Sequence, residues 1–198
     1  MNTKINKILN QKTIGRRSFL GLAVTSAAAV ALLPACDLLS SKDKNEKSIE
    51  KTINDVLSGS QPLDTISIDY SIGMKFWQFG HTSMTIKGTG TGIINNITGS
   101  VSLDFSGTVQ GPNGIDGPDQ VKSVIQAMKD NKFWNLSRSR QNPFPDESSV
   151  TITISDSKNN LSQTVSFFEN EGKSNSQFSA IWNKLDGIVV TMSAGKVR

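Results

Sequence analysis

The 198-residue chain has one cysteine, one histidine and one tyrosine. A structural zinc site takes about four Cys or His ligands, covalent haem needs Cys-x-x-Cys-His, and an intrachain disulfide needs a second thiol; all three are excluded. With His81 as the only imidazole, a hydrolase triad has a single candidate base, and neither Gly-x-Ser-x-Gly nor His-Glu-x-x-His occurs. Acidic residues are missing from residues 1–35, which hold the five basic residues Lys4, Lys7, Lys12, Arg16 and Arg17. Beyond them 16 basic residues face 17 acidic ones, so the formal +4 of the whole chain becomes about −1 without that segment. The basicity belongs to the amino terminus, and the usual inference from it to nucleic acid loses its basis.

Residues 1–35 run from a polar basic stretch through an apolar, Ala-rich run, Phe19 to Leu33, into Pro34-Ala35-Cys36. That order is a secretory signal. Fifteen helical residues span about 22 Å, short of the roughly 30 Å hydrocarbon core, which disfavours a permanent membrane span. Arg16-Arg17-Ser18-Phe19-Leu20 resembles the twin-arginine export signal, and Leu33-Pro34-Ala35-Cys36 resembles the lipobox of bacterial lipoproteins. The lipobox resemblance implies that Cys36 becomes the first mature residue and carries a diacylglyceryl thioether. At about 0.8 kcal/mol per buried methylene, two or three acyl chains anchor a protein that one chain holds only marginally. A lipidated sulfur is neither nucleophile nor metal ligand, so the mature chain is left without thiol chemistry.

The segment 36–60 reads as the lipidated Cys followed by a polar tether. Asp37 to Ser48 is charged and aperiodic, the composition of flexible coil. Ile49, Ile53, Val56 and Leu57 then fall at helical spacing, a short helix stopped by Ser58-Gly59-Ser60 and Pro62.

Residues 61–198 form one domain. Alternation of Ile66, Ile68, Tyr70 and Ile72 with Ser67, Asp69 and Ser71 predicts a half-buried strand, and further strands follow at 82–87, 91–97 and 101–106. Pro118 and Asp119 open a helix carrying Val121, Val124, Ile125 and Met128, which ends near Lys132. A hairpin follows around Asp156 to Asn160. The stripe Phe178, Ile181, Trp182, Leu185, Ile188, Val189 and Met192 predicts a final helix, with Ser174 and Gln177 resembling a capping box. The order strands, helix, hairpin, helix lacks the βαβ alternation of a parallel sheet. It predicts an α+β fold: an antiparallel sheet of about six strands with two amphipathic helices packed on one face.

The inventory for chemistry is thin. His81 reads as a strand or loop residue sooner than a base. Gly88-Thr89-Gly90-Thr91-Gly92 lacks the Gly-Lys-Ser/Thr ending of a phosphate loop and reads as a turn. Asp116, Asp119, Asp146, Glu147 and Asp156 do not stand in calcium-loop register and read as solvated turns and a helix cap. No catalytic residue, metal site or cofactor is assigned. Phe76, Trp77 and Phe79, three aromatics in four residues between strands, form a candidate partner or sugar platform, with His81 beside them. Arg138 and Arg140, the only arginines after the leader besides Arg198, are candidates for holding a carboxylate or phosphate.

Phe79-Gly80 at the head of the second strand, and Phe133-Trp134-x-Leu136 after a helix, faintly resemble uncharacterised bacterial envelope domains that carry Phe-Gly-x-Cys-Pro-x-Tyr. Thr82 and Ser83 replace the Cys and Pro, and the Tyr is not kept, so no role passes to these positions. The expectation is a non-enzymatic, lipid-anchored binding or scaffold domain of the bacterial envelope, facing the periplasm or exterior. Its partner would be an envelope protein or glycan, with no nucleic acid involved. The alternative is an enzyme or cofactor carrier exported folded by the twin-arginine route.

Overall fold

In the computed structural model, residues 37–73, 80–137 and 148–197 are described, with the side chains of the first helix from residue 48 onward. The leader, the lipobox with Cys36, the Phe76 to Phe79 cluster, and Arg138 and Arg140 lie outside the described residues.

A 22-residue helix, α1 (Asp37–Ser58), comes first. Four strands follow as a meander: β1 (Ile66–Gly73), β2 (His81–Lys87), β3 (Thr91–Thr98) and β4 (Val101–Thr108). Helix α2 (Gly117–Asp130) then leads to the hairpin β5 (Ser149–Asp156) and β6 (Leu161–Phe168). The short α3 (Glu169–Ser174) and the long α4 (Ser176–Met192) close the chain. The six strands form one sheet in the order β4-β3-β2-β1-β5-β6, every neighbouring pair antiparallel. The fold is α+β, as the alternation predicts.

Period-two alternation sends one set of side chains to each face of the sheet. On the helix-covered face the register aligns Val165, Ile152, Tyr70, Met84, Ile94 and Phe105 across all six strands. Most of this row is buried and meets Val121, Val124, Ile125 and Met128 of α2 and the apolar stripe of α4 in one core. On the opposite face of β5 and β6 neighbouring hydroxyls pair with one another: Thr151 with Ser166, Thr153 with Thr164, and Ser155 with Ser162, at 2.9 to 3.2 Å, while β3 exposes Ile93 and Ile97 there. β4 is an edge strand at the limit of helix coverage. Val101 therefore stays 58% exposed although its parity points to the helix side.

Three local expectations are corrected. The stretch 37–48, read as coil, is helical, and Ile49, Ile53 and Val56 of the same helix are buried in the core. The folded unit thus begins before residue 61; the short helix expected around 49–57 is the second half of α1, and α3 is a helix not expected. Short-range composition cannot register a docking partner more than 100 residues away. The amino-terminal cap of α4 is Asn175, whose Oδ1 accepts the Phe178 N–H at 3.0 Å; Ser174 instead closes α3 by donating to the Asn170 carbonyl. Asp156 is 1% exposed, not a solvated turn residue.

The glycine-rich 88–92 string has a packing explanation. Gly90 has φ +84°, and a Cβ there would stand 2.5 Å from Pro118, where the β2–β3 turn meets the start of α2. At Gly88 a Cβ would meet the Leu63 carbonyl. Both positions reject side chains because backbone passes directly beside them.

Candidate functional site

One step along the sheet from the apolar row, the helix-facing side chains change character. Phe167, Val150 and Ile72 are followed across the register by Thr82 and Asn96. Asn96 Nδ2 donates to Thr82 Oγ1 at 2.9 Å, and Thr98 Oγ1 donates to Asn96 Oδ1 at 3.3 Å. These polar groups floor a cleft of about 680 Å³, roofed by α3, α4 and the carboxyl-terminal turn.

The walls are built locally. Gly172 is buried in α3, where a Cβ would lie 3.1 Å from the Phe178 ring, so α3 can lie close against α4. Within α3, Lys173 Nζ reaches Glu169 at 2.6 Å, the i,i+4 spacing that brings side chains together, and lies 5.9 Å from the Trp182 ring centroid. After α4 the chain turns back through Ala194 and Gly195, both left-handed at φ +50° and +76°. Val197 N–H then donates to Ser193 Oγ at 3.1 Å, which sets Lys196 on the rim.

A buried chain of hydrogen bonds supports the α4 wall. Trp182 Nε1 donates to the Tyr70 hydroxyl at 3.0 Å, and Tyr70 is hydrogen-bonded to Asp186. A hydroxyl that accepts from an indole N–H donates its own proton onward, so Asp186 is the acceptor. Burial first, and the neighbouring Asp186 charge second, push the Tyr70 phenol well above its ordinary range. Tyr70 therefore stays a neutral phenol beside the Asp186 carboxylate at the cleft wall. Among the described residues, Glu169, Asp186, Lys173 and Lys196 are the charged groups of the lining.

A second, smaller cavity of about 470 Å³ lies between α1 and the β5–β6 turn, beside Asp156. One Asp156 oxygen accepts the Lys158 and Asn159 N–H groups at 3.0 and 3.3 Å. The other accepts Thr52 Oγ1 at 2.9 Å and Asn159 Nδ2 at 2.6 Å. Burial opposes ionisation here, but polar contacts from Gln61, Asn159 and Thr52 outweigh it and hold the carboxyl below its ordinary value. All its neighbours belong to the fold, so this carboxylate is a structural clasp.

The sequence-derived candidates divide accordingly. His81 belongs to the face of the sheet opposite the cleft, because its neighbour Thr82 points inward and is buried. The aromatic segment leaves β1 at Gly73 and rejoins the chain at Gly80, and the segment after Arg138 and Arg140 rejoins at Ser148. All three of these flanking residues line the cleft. Tyr70, Thr82, Asn96 and Asp186 went unnoticed as site residues. The readable signal was polarity at inward-facing strand positions, together with the Trp182–Asp186 spacing of four inside an apolar stripe. Among the described residues no group of three or more His, Cys, Asp or Glu could hold a metal ion, and no helix is long and apolar enough to cross a membrane. No family model and no curated protein sequence matches the chain.

Proposed function

We propose that the chain is a lipoprotein of the bacterial envelope, exported by the twin-arginine route and anchored through acylated Cys36, whose domain binds a ligand without transforming it. The anchoring half rests on one observation, the order of Arg16-Arg17-Ser18-Phe19-Leu20, the apolar run, and Leu33-Pro34-Ala35-Cys36. The binding half is supported by the polar cleft, whose floor is amide and hydroxyl groups. Such a lining suits a polar molecule.

Metabolic labelling with an alkyne fatty acid tests the anchor. The wild-type chain takes up label and Cys36→Ala does not; an unlabelled wild type, or label that survives the substitution, refutes it. The rival reading, an enzyme or cofactor carrier, draws on the association of twin-arginine export with passengers folded before transport. Stoichiometric metal or chromophore in protein purified from its own host would favour that reading.

A further inference from the structure

We infer that β4 is a self-association edge, along which two copies of the chain join antiparallel into one continuous sheet. This inference goes beyond the ligand-binding reading and does not depend on it. An edge strand presents a row of unpaired N–H and C=O groups, and folds blunt such edges with lysine, proline, bulges or a covering element. The two edges of this sheet differ in that respect. β6 lies against α1. β4 is eight residues long and holds no Lys, Arg or Pro, and among the described residues no strand pairs with its far side. Segments 74–79 and 138–147 join the sheet at β1, β2 and β5, two or more strands away.

The sequence of β4 fits a second copy of itself. Thr98 and Val101 close a two-residue turn with Gly99 at φ +61°. The closing pair of such a hairpin is hydrogen-bonded, so Val101, Leu103 and Phe105 direct their backbone groups to β3, and Ser102, Asp104 and Ser106 direct theirs outward. An antiparallel partner must therefore match even positions with even ones. Centred on Leu103, the pairing sets Leu103 against the partner's Leu103, Val101 against the partner's Phe105, and Asp104 against the partner's Ser102, a carboxylate beside a hydroxyl. The two neighbouring registers are worse: one opposes the two Asp104 carboxylates, and the other sets Phe105 against the partner's Gly99. Val101, 58% exposed in the single chain although it points to the helix side, is covered in this arrangement, as are the half-buried Leu103 and Phe105. Each copy contributes the same edge, so the assembly closes at a dimer.

The test is sedimentation equilibrium of the full-length chain in a density-matched detergent, across micromolar to millimolar concentrations. A dimer forms, and Leu103→Lys, which places two ammonium groups face to face on the two-fold axis, weakens it about tenfold or more. Melting temperatures confirm folding; if Leu103→Lys does not fold, Val101→Lys, at a position already exposed, decides in the same way. Cross-linking tests the register. In a Cys36→Ala background an introduced thiol is the only one. Leu103→Cys then oxidises to a linked dimer, because facing residues of a non-hydrogen-bonded pair have Cβ atoms about 5 Å apart, whereas Ser106→Cys, about 20 Å from its counterpart, does not. A monomer at every concentration, a dimer that the folded lysine variant leaves intact, or cross-linking through Ser106→Cys in place of Leu103→Cys, overturns the assignment.

Discussion

Thr52 on α1 donates its hydroxyl proton to the Asp156 carboxylate at the end of β5, 2.9 Å away across 104 positions of sequence. Both groups are almost wholly buried. The bond fastens the first helix to the β5–β6 hairpin beside Ile49, Ile53 and Val56, so α1 is a part of the folded unit.

Replacing Asp156 by Ala would leave the Thr52, Lys158 and Asn159 donors without their acceptor. Buried donors stripped of a charged partner cost about 2–4 kcal/mol, and Asp156→Asn, which keeps an oxygen, costs less. Urea denaturation checks both values, and an alanine variant within about 0.5 kcal/mol of wild type would show the clasp to be idle.

The same carboxyl gives a pH dependence of definite sign. Its folded pKa lies below the unfolded value of about 3.9. The unfolded chain therefore binds the proton more readily, and the stabilisation is present above that unfolded value. It is lost as pH falls through the folded value. Urea midpoints measured across this acid range should drop less steeply for Asp156→Asn than for wild type; parallel curves would assign the acid sensitivity to other groups.

Trp182→Phe retains most of the apolar volume but removes the N–H that meets Tyr70 at 3.0 Å. The expected cost is about 1–2 kcal/mol for a buried hydroxyl deprived of its donor, against about 3–5 kcal/mol for Trp182→Ala, which also opens a cavity. A Trp182→Phe variant that melts like wild type would mean that packing alone holds this wall.

Glycine-to-alanine substitutions separate backbone strain from crowding. Gly99 has φ +61° and open space around its Cβ direction, so Gly99→Ala carries strain alone, about 1 kcal/mol. Gly90→Ala adds a collision with Pro118 to a φ of +84° and should cost clearly more. Melting temperatures of the two variants test the ordering.

The sheet was legible in the sequence because Ile66, Ile68, Tyr70 and Ile72 alternate against polar neighbours, and such a pattern buries only one way. The stripe of α4 was legible for the same reason at helical period. The cleft was not. Its members come from β1, β2, β3, α3, α4 and the carboxyl-terminal turn, and only the register sets Thr82 beside Asn96. Tyr70 read as core, and it is core; that its hydroxyl joins Trp182 to Asp186 follows from tertiary placement across 112 positions. Asp156 was misread because turn composition signals exposure, whereas the helix that covers this turn arrives from the other end of the chain.

The central claim is a lipid-anchored binding domain, and native mass spectrometry of the chain extracted in mild detergent from its own envelope tests it most directly. The account predicts a mature chain that begins at Cys36, heavier by its acyl groups, and a population carrying a small companion mass. An unacylated amino terminus, or a retained leader, would contradict the anchor. A tightly held metal or chromophore in its place would contradict the binding-domain reading.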